Sequence, residues 1–234
     1  MFSDFTDSVL DLERAVILLG EMVEKDVVNV MMACIEGSDE LCEQIVRFDD
    51  EIDRLEESIT WMVQEIFSHF SPRGGDLRFL LAVPKVSAHL ELIGDSCVDI
   101  AKHLGKIEGN RIAMLDQLNF LPQFETVISM MTGSVNALID RSAKRAWRAM
   151  AVLETARSIR DAHIAMLMQK PCKEWPVSSL IRISHIINGL FVMACNSADI
   201  AANVVYITHG VDVRYQRNRI LEQLSNRERS KRKS

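Results

Sequence analysis

Glu91, Asp95 and Asp99 follow one another at four-residue intervals, and Asp49 and Asp53 repeat that interval earlier in the chain. On a helix, residues four apart share a face, so each set stacks carboxylates one turn apart, where they repel. An ordinary surface helix intersperses a Lys or Arg at such positions. Two acidic ladders brought face to face would be costly at short range, and a multivalent cation between them would reverse the sign of that energy. Ligation by oxygen alone suits Mg, Ca, Mn or Fe. The competing reading is a solvated acidic flank, screened by salt and by Arg54 or Arg78. Pairs of the form Asp-x-x-x-Asp are common, so spacing alone does not choose between the two.

The elements that must position these groups read as helices. Val9, Leu12, Val16, Leu19, Val23 and Val30 keep 3–4 spacing through a first helix over about 6–36, which Gly37 stops; Ser38 caps the next. In the second helix Leu41, Ile45, Phe48, Ile52, Leu55, Ile59, Met62 and Ile66 form a heptad-like seam, with Asp49 and Asp53 one position past it. The run Ser71-Pro72-Arg73-Gly74-Gly75 breaks it as a turn, and Asp76 is expected to cap a third helix that ends near Gly105 or Gly109. Glu91 and Asp95 hold the same relation to the third seam. Gly94 has no side chain, so the two helices can approach closely there. Pro84 is expected to kink this helix before the acidic stack. Further on, a fourth helix is expected over about 110–140 with Pro122 near its start or at a break, a fifth over about 142–169, and a sixth from about Ser178 to Gly210.

The third and sixth helices superpose at an offset of 100. Leu80, Val83, Ser87, Leu90, Gly94, Cys97, Ala101 and Leu104 become Leu180, Ile183, Ile187, Leu190, Ala194, Ser197, Ala201 and Val204, and Asp-Ile-Ala recurs at 99–101 and 199–201. The expected fold is all-α, two tandem three-helix bundles over 1–110 and 111–213, followed by a basic tail over 214–234. Composition agrees: 48 % hydrophobic and 6 % aromatic, with 12 Met, 10 Gly and 5 Pro, favours helix bundles over β-sandwiches.

Asp-Asp-Glu-Ile-Asp (49–53), Ser-Pro-x-x-x-Asp-Leu-Arg (71–78) and Leu-Glu-Leu-Ile-Gly-Asp (90–95) together resemble the phosphate uptake regulator family, PhoU. Asn-Val-Val-Tyr-Ile-Thr-His-Gly (203–210) resembles the family's exit from its sixth helix. The resemblance covers about residues 9–215 and is carried mainly by the first half. It implies a cytoplasmic, non-enzymatic adaptor that restrains phosphate uptake. The implied partners are the ATPase subunit of a phosphate transporter or a phosphate-sensing histidine kinase, and the implied state is a homodimer. It also implies a divalent or iron-type metal ion on the acidic face, with Asp49, Asp53, Glu91 and Asp95 as ligands and Asp99 a weaker fifth. The departures are specific. Leu92 stands where the family usually has Arg, Phe191 and Cys195 replace the acids matching Glu91 and Asp95, and the fifth helix offers only Glu154 and Asp161. Any metal is therefore expected in the first bundle and none in the second. The alternative is a metal-binding helical bundle that acts independently of phosphate.

Other chemistries find little support. Six His show no His-x-x-x-His or Glu-x-x-His spacing, Gly74-Gly75 is followed by no phosphate-loop Lys, and no nucleophile has a supporting context. Five scattered Cys (34, 42, 97, 172, 195) form no Cys-x-x-Cys pair and read as free thiols facing the core. His89 and His185 read as core or boundary histidines, and Met22, Met31, Met32, Met130, Met131, Met166 and Met168 as core filler. No basic segment followed by an apolar run opens the chain, so no signal peptide is expected. The longest stretch free of acidic and basic residues, 183–198, falls short of the roughly 20 residues a spanning helix needs. Net charge is −6, but residues 214–234 carry eight Lys or Arg against two Glu, leaving −12 on the rest. The body repels nucleic acid, and the tail reads as either a solvated segment or a binding arm for anionic surfaces.

Overall fold

In the computed structural model, residues 4–171 and 174–213 are described. Three long helices come first: α1 (Phe5–Glu36), α2 (Asp39–His69) and α3 (Gly74–Leu104). Five more complete the described chain: α4 (Arg111–Asp116), α5 (Leu121–Ile139), α6 (Ala143–Ala151), α7 (Leu153–Met168) and α8 (Val177–His209). The first bundle is α1–α3. The second repeats it, with α4 and α5 in the place of the first helix, α6 and α7 in the place of the second, and α8 in the place of the third.

Helix ends obey local chemistry. Gly37 takes the left-handed conformation at φ 69° and returns its N–H to the Ala33 carbonyl, and the Ser38 hydroxyl accepts from the Leu41 N–H. Asp76, expected as the cap of α3, instead lies within its first turn; the helix starts at Gly74, so Gly74-Gly75 is helical and the turn is 70–73. A carboxylate in the first turn still complements the helix dipole. The expected fourth helix is two, because the chain turns at Asn119 (φ 48°) and Pro122 starts α5. The expected fifth is also two, α6 and α7. Val152 bonds three residues back to Ala149 rather than four, and no Pro or Gly marks the step.

The repeat register holds. Every position of the 80–104 seam is buried, and so is its 180–204 counterpart except for half-buried Leu180. Helices α3 and α8 run antiparallel along a shared seam. Arg78 Nε donates to the Ile207 carbonyl at 2.9 Å, His89 meets Asn196 at 2.9 Å, the His103 and His185 rings stack at 4.4 Å, and the Glu108 N–H donates to Ser179 Oγ at 2.9 Å. One continuous hydrophobic core spans both bundles. Helix α8 is long and apolar enough to cross a membrane by length and composition, but 67 % of its most apolar stretch is buried in this core. Three expected core residues face outward instead: Phe48, with the Lys25 ammonium 5.0 Å above its ring, and Met166 and Met168 on α7. Cys34, Cys42 and Cys97 are buried free thiols, Cys195 is half-buried, and Cys172 and the basic tail lie outside the described residues.

Candidate metal centre

Helices α2 and α3 cross closely where the acids lie. A Cβ at Gly94 would sit 3.3 Å from the Ile52 Cδ1 methyl, so the missing side chain sets the approach. That approach brings acids of the two ladders within electrostatic range of one another. Burial and then Asp53, Asp95 and Asp50 push the Asp49 carboxyl upward, with Lys102 opposing. Glu91 is pushed up to about 7 by burial, then by Asp95 and Asp53, by a hydrogen bond shared with Asp95, and by Glu56. Each of these partners lies on α2 or one turn along α3, so Asp49, Asp53, Glu91 and Asp95 form one electrostatic cluster.

The cations invoked for a merely screened flank are engaged elsewhere. Arg54 pairs with exposed Asp50 at 3.8 Å, and Arg78 is bonded to the α8 backbone. Asp49 Oδ1 is buried with no hydrogen-bond partner. An orphaned carboxylate oxygen beside like charges fits a hard cation bound through oxygen. Among the described residues, however, no three His, Cys, Asp or Glu side chains converge closely enough to hold an ion as they stand. Splayed carboxylates are the low-energy arrangement for like charges on adjacent turns. Asp99 stands apart from the cluster, exposed, and the perturbed group it acts on is His103.

One member of the cluster escaped the sequence reading. Asp26 of α1 is buried, pushed up to about 6 by burial, with Asp49 adding to the effect and Lys25 and the Asn29 side chain opposing it. A lone Asp between Val23 and Val27, on the buried stripe of α1, was the signal that could have found it. Glu56 also joins the rim, accepting from Ser87 and Thr60 hydroxyls at 3.3 Å each.

The equivalent face of the second bundle is built from other chemistry. Phe191, in the place of Glu91, lies under two guanidinium groups of α7, Arg160 at 4.1 Å and Arg157 at 5.4 Å. The two acids of α7 neutralise those arginines: Glu154 pairs with Arg157 at 3.6 Å and Asp161 with Arg160 at 2.6 Å. Nearby, buried His163 joins Gln123 Oε1 at 2.7 Å, and Gln123 Nε2 donates to the Ile187 carbonyl at 2.9 Å.

The PhoU domain matches residues 16–104, nearly all of the first bundle. The PhoU homolog of Pseudomonas aeruginosa, a phosphate-specific transport system accessory protein, is 23% identical over 228 residues, covering 90% of this chain and 88% of its own. Its namesake from Pseudomonas putida is 24% identical, covering 90% and 83%. The crystal structure of the phosphate transport system regulatory protein PhoU from Streptococcus pneumoniae superposes with a TM-score of 0.83 at 22% identity, covering 90% of this chain and 99% of that one. PhoU from Pseudomonas aeruginosa gives 0.79 at 20%, covering 89% and 100%. The first bundle thus matches the PhoU domain, and the chain as a whole is similar in sequence and in fold to PhoU homologs, with Phe191 and Cys195 in the second repeat at the positions of Glu91 and Asp95.

Proposed function

We propose that this chain regulates phosphate uptake or phosphate signalling as a non-enzymatic adaptor in the cytoplasm. The observation that carries the reading is its likeness, over 90% of its length, to accessory proteins of phosphate-specific transport systems. On this reading it docks a helical face on the transporter's ATPase subunit or on a phosphate-sensing histidine kinase, and works as a homodimer. Deleting its gene and measuring phosphate accumulation tests this. Raised accumulation in plentiful phosphate supports the reading, whereas unchanged uptake in both scarce and plentiful phosphate contradicts it.

Asp49, Asp53, Glu91 and Asp95 would hold a divalent or iron-type ion on the first bundle, and the ion would add positive charge that Lys102 supplies only in part. Asp26, which Asp49 perturbs, would then keep its carboxylate ionised more readily. The orphaned Asp49 oxygen also favours a second reading, a metal-binding bundle acting independently of phosphate. Elemental analysis of the purified protein, together with the deletion phenotype, separates the two: bound metal with unaltered phosphate uptake would select the second.

A further inference from the structure

Helices α1 and α5 meet along one flank and leave a groove between them. Ile17 of α1 and Val135 and Ile139 of α5 line its length, and Ile139 is 47% exposed. The groove deepens into a cavity of about 150 Å³ whose lining includes Thr132. Thr132 Oγ1 is buried with no hydrogen-bond partner, although a helical Thr commonly returns its hydroxyl to a carbonyl one turn back. The α1 rim is acidic, formed by Glu13, Glu21 and Glu24. Glu13 is held by Arg141 at 2.7 Å, while Glu21 and Glu24 have no ion-pair partner among the described residues.

The chain leaves α8 at the end of this groove. The backbone at Gly210 lies against Arg78, with its Cβ position 3.7 Å from Arg78 Cδ, and Val213 is buried. The next residue of α3, Phe79, lines the groove, and Arg141 covers its ring at 4.6 Å while pairing with Glu13. Residues 214–234, which continue the chain beyond Val213, combine eight Lys or Arg with Tyr215, Ile220, Leu221 and Leu224. The acidic rim from Glu13 to Glu24 runs about 17 Å at 1.5 Å per residue. Residues 214–224 can reach about twice that distance when extended. An apolar floor, an acidic rim and a nearby basic segment with apolar side chains are complementary in chemistry and in reach.

We propose that residues 214–234 dock in the α1–α5 groove of their own chain, with Ile220, Leu221 and Leu224 against Ile17, Val135 and Ile139 and their cations against Glu21 and Glu24. Helix α2 carries more acidic charge, most of it exposed, so it serves as the rival site in the test.

Photo-crosslinking on the full chain decides the matter, with p-benzoylphenylalanine in place of Ile139 or, as a second position on the groove, exposed Asn136. The expected result is an intramolecular crosslink to a peptide from 214–234. Its yield should fall about fivefold with Glu21→Lys and Glu24→Lys together, or at 1 M salt where the Debye length shrinks to about 3 Å. Absence of a tail crosslink from both positions overturns the proposal. So does capture of the tail by the same label at Trp61 of α2 instead, or, in mixed light and heavy protein, crosslinks formed only between chains.

Discussion

The two outer flanks of this molecule occupy equivalent places in the repeat and carry opposite charge. Helix α2 holds ten acids and two Arg, whereas α6 and α7 together hold five Lys or Arg and two acids. The second face satisfies itself: each acid of α7 has its Arg, and both Arg lie on Phe191. The first does not, because Asp49 keeps an orphaned oxygen and Glu91 is held up to about 7 by burial and then by its acidic neighbours. A buried or crowded charge left uncompensated costs stability, and proteins tolerate that cost mainly at sites that bind something. The repeat sets two similar backbones side by side, one flank with its α7 acids paired to arginine and the other with crowded acids.

If the second bundle is held by internal partners, removing one should cost much more than neutralising an acid in the first. His163→Ala, which empties a buried site and leaves Gln123 Oε1 without its partner, is expected to cost about 3 kcal/mol in chemical denaturation. A Cβ at Gly94 would meet Ile52, whereas its counterpart Ala194 already carries one, so Gly94→Val should cost about 1–3 kcal/mol by forcing Ile52 aside. An equal effect from Ala194→Val would remove the distinction. Arg160→Ala should cost about 1 kcal/mol through the lost stack on Phe191. Asp49→Asn should instead stabilise the metal-free protein, by about 0.5 kcal/mol given partial solvent screening. A loss of stability there would mean that the acidic face is structural.

Acid should pull the halves in opposite directions. Asp26 at about 6 and Glu91 at about 7 are raised above their ordinary values, so their contribution is fully present near pH 4 and is lost as pH rises through 6 and 7. His163, lowered by burial, works the other way: its contribution is present above pH 6.5 and is lost as pH falls below. Thermal midpoints between pH 5 and 8 should therefore fall with rising pH in His163→Gln and lose that slope when Asp26→Asn and Glu91→Gln are added.

Much of this contrast was legible in the sequence. The 100-residue offset placed Phe191 and Cys195 at the positions of Glu91 and Asp95, and the four-residue spacing with Gly94 pointed to acids of α2 and α3 close enough to perturb one another. Gly37 and Ser38 marked a helix end through local chemistry alone. What escaped depended on tertiary partners. The break at Val152 interrupts neither the apolar period nor helix propensity, and Phe48 kept the period of a seam while pointing outward under Lys25. Asp26 looked like an interruption of an apolar stripe because its neighbour, Asp49, is on another helix. The pairing of Phe191 with Arg157 and Arg160 likewise joins α7 to α8, which no single-helix pattern reports.

The most direct test is calorimetric titration of metal-stripped protein with Mn²⁺. Saturable binding in the native chain, abolished by Asp49→Asn with Asp95→Asn and retained in Asp199→Asn, is the predicted result. No binding to the native chain, or binding that survives the double substitution, would contradict the assignment of the acidic α2–α3 face as the molecule's open site.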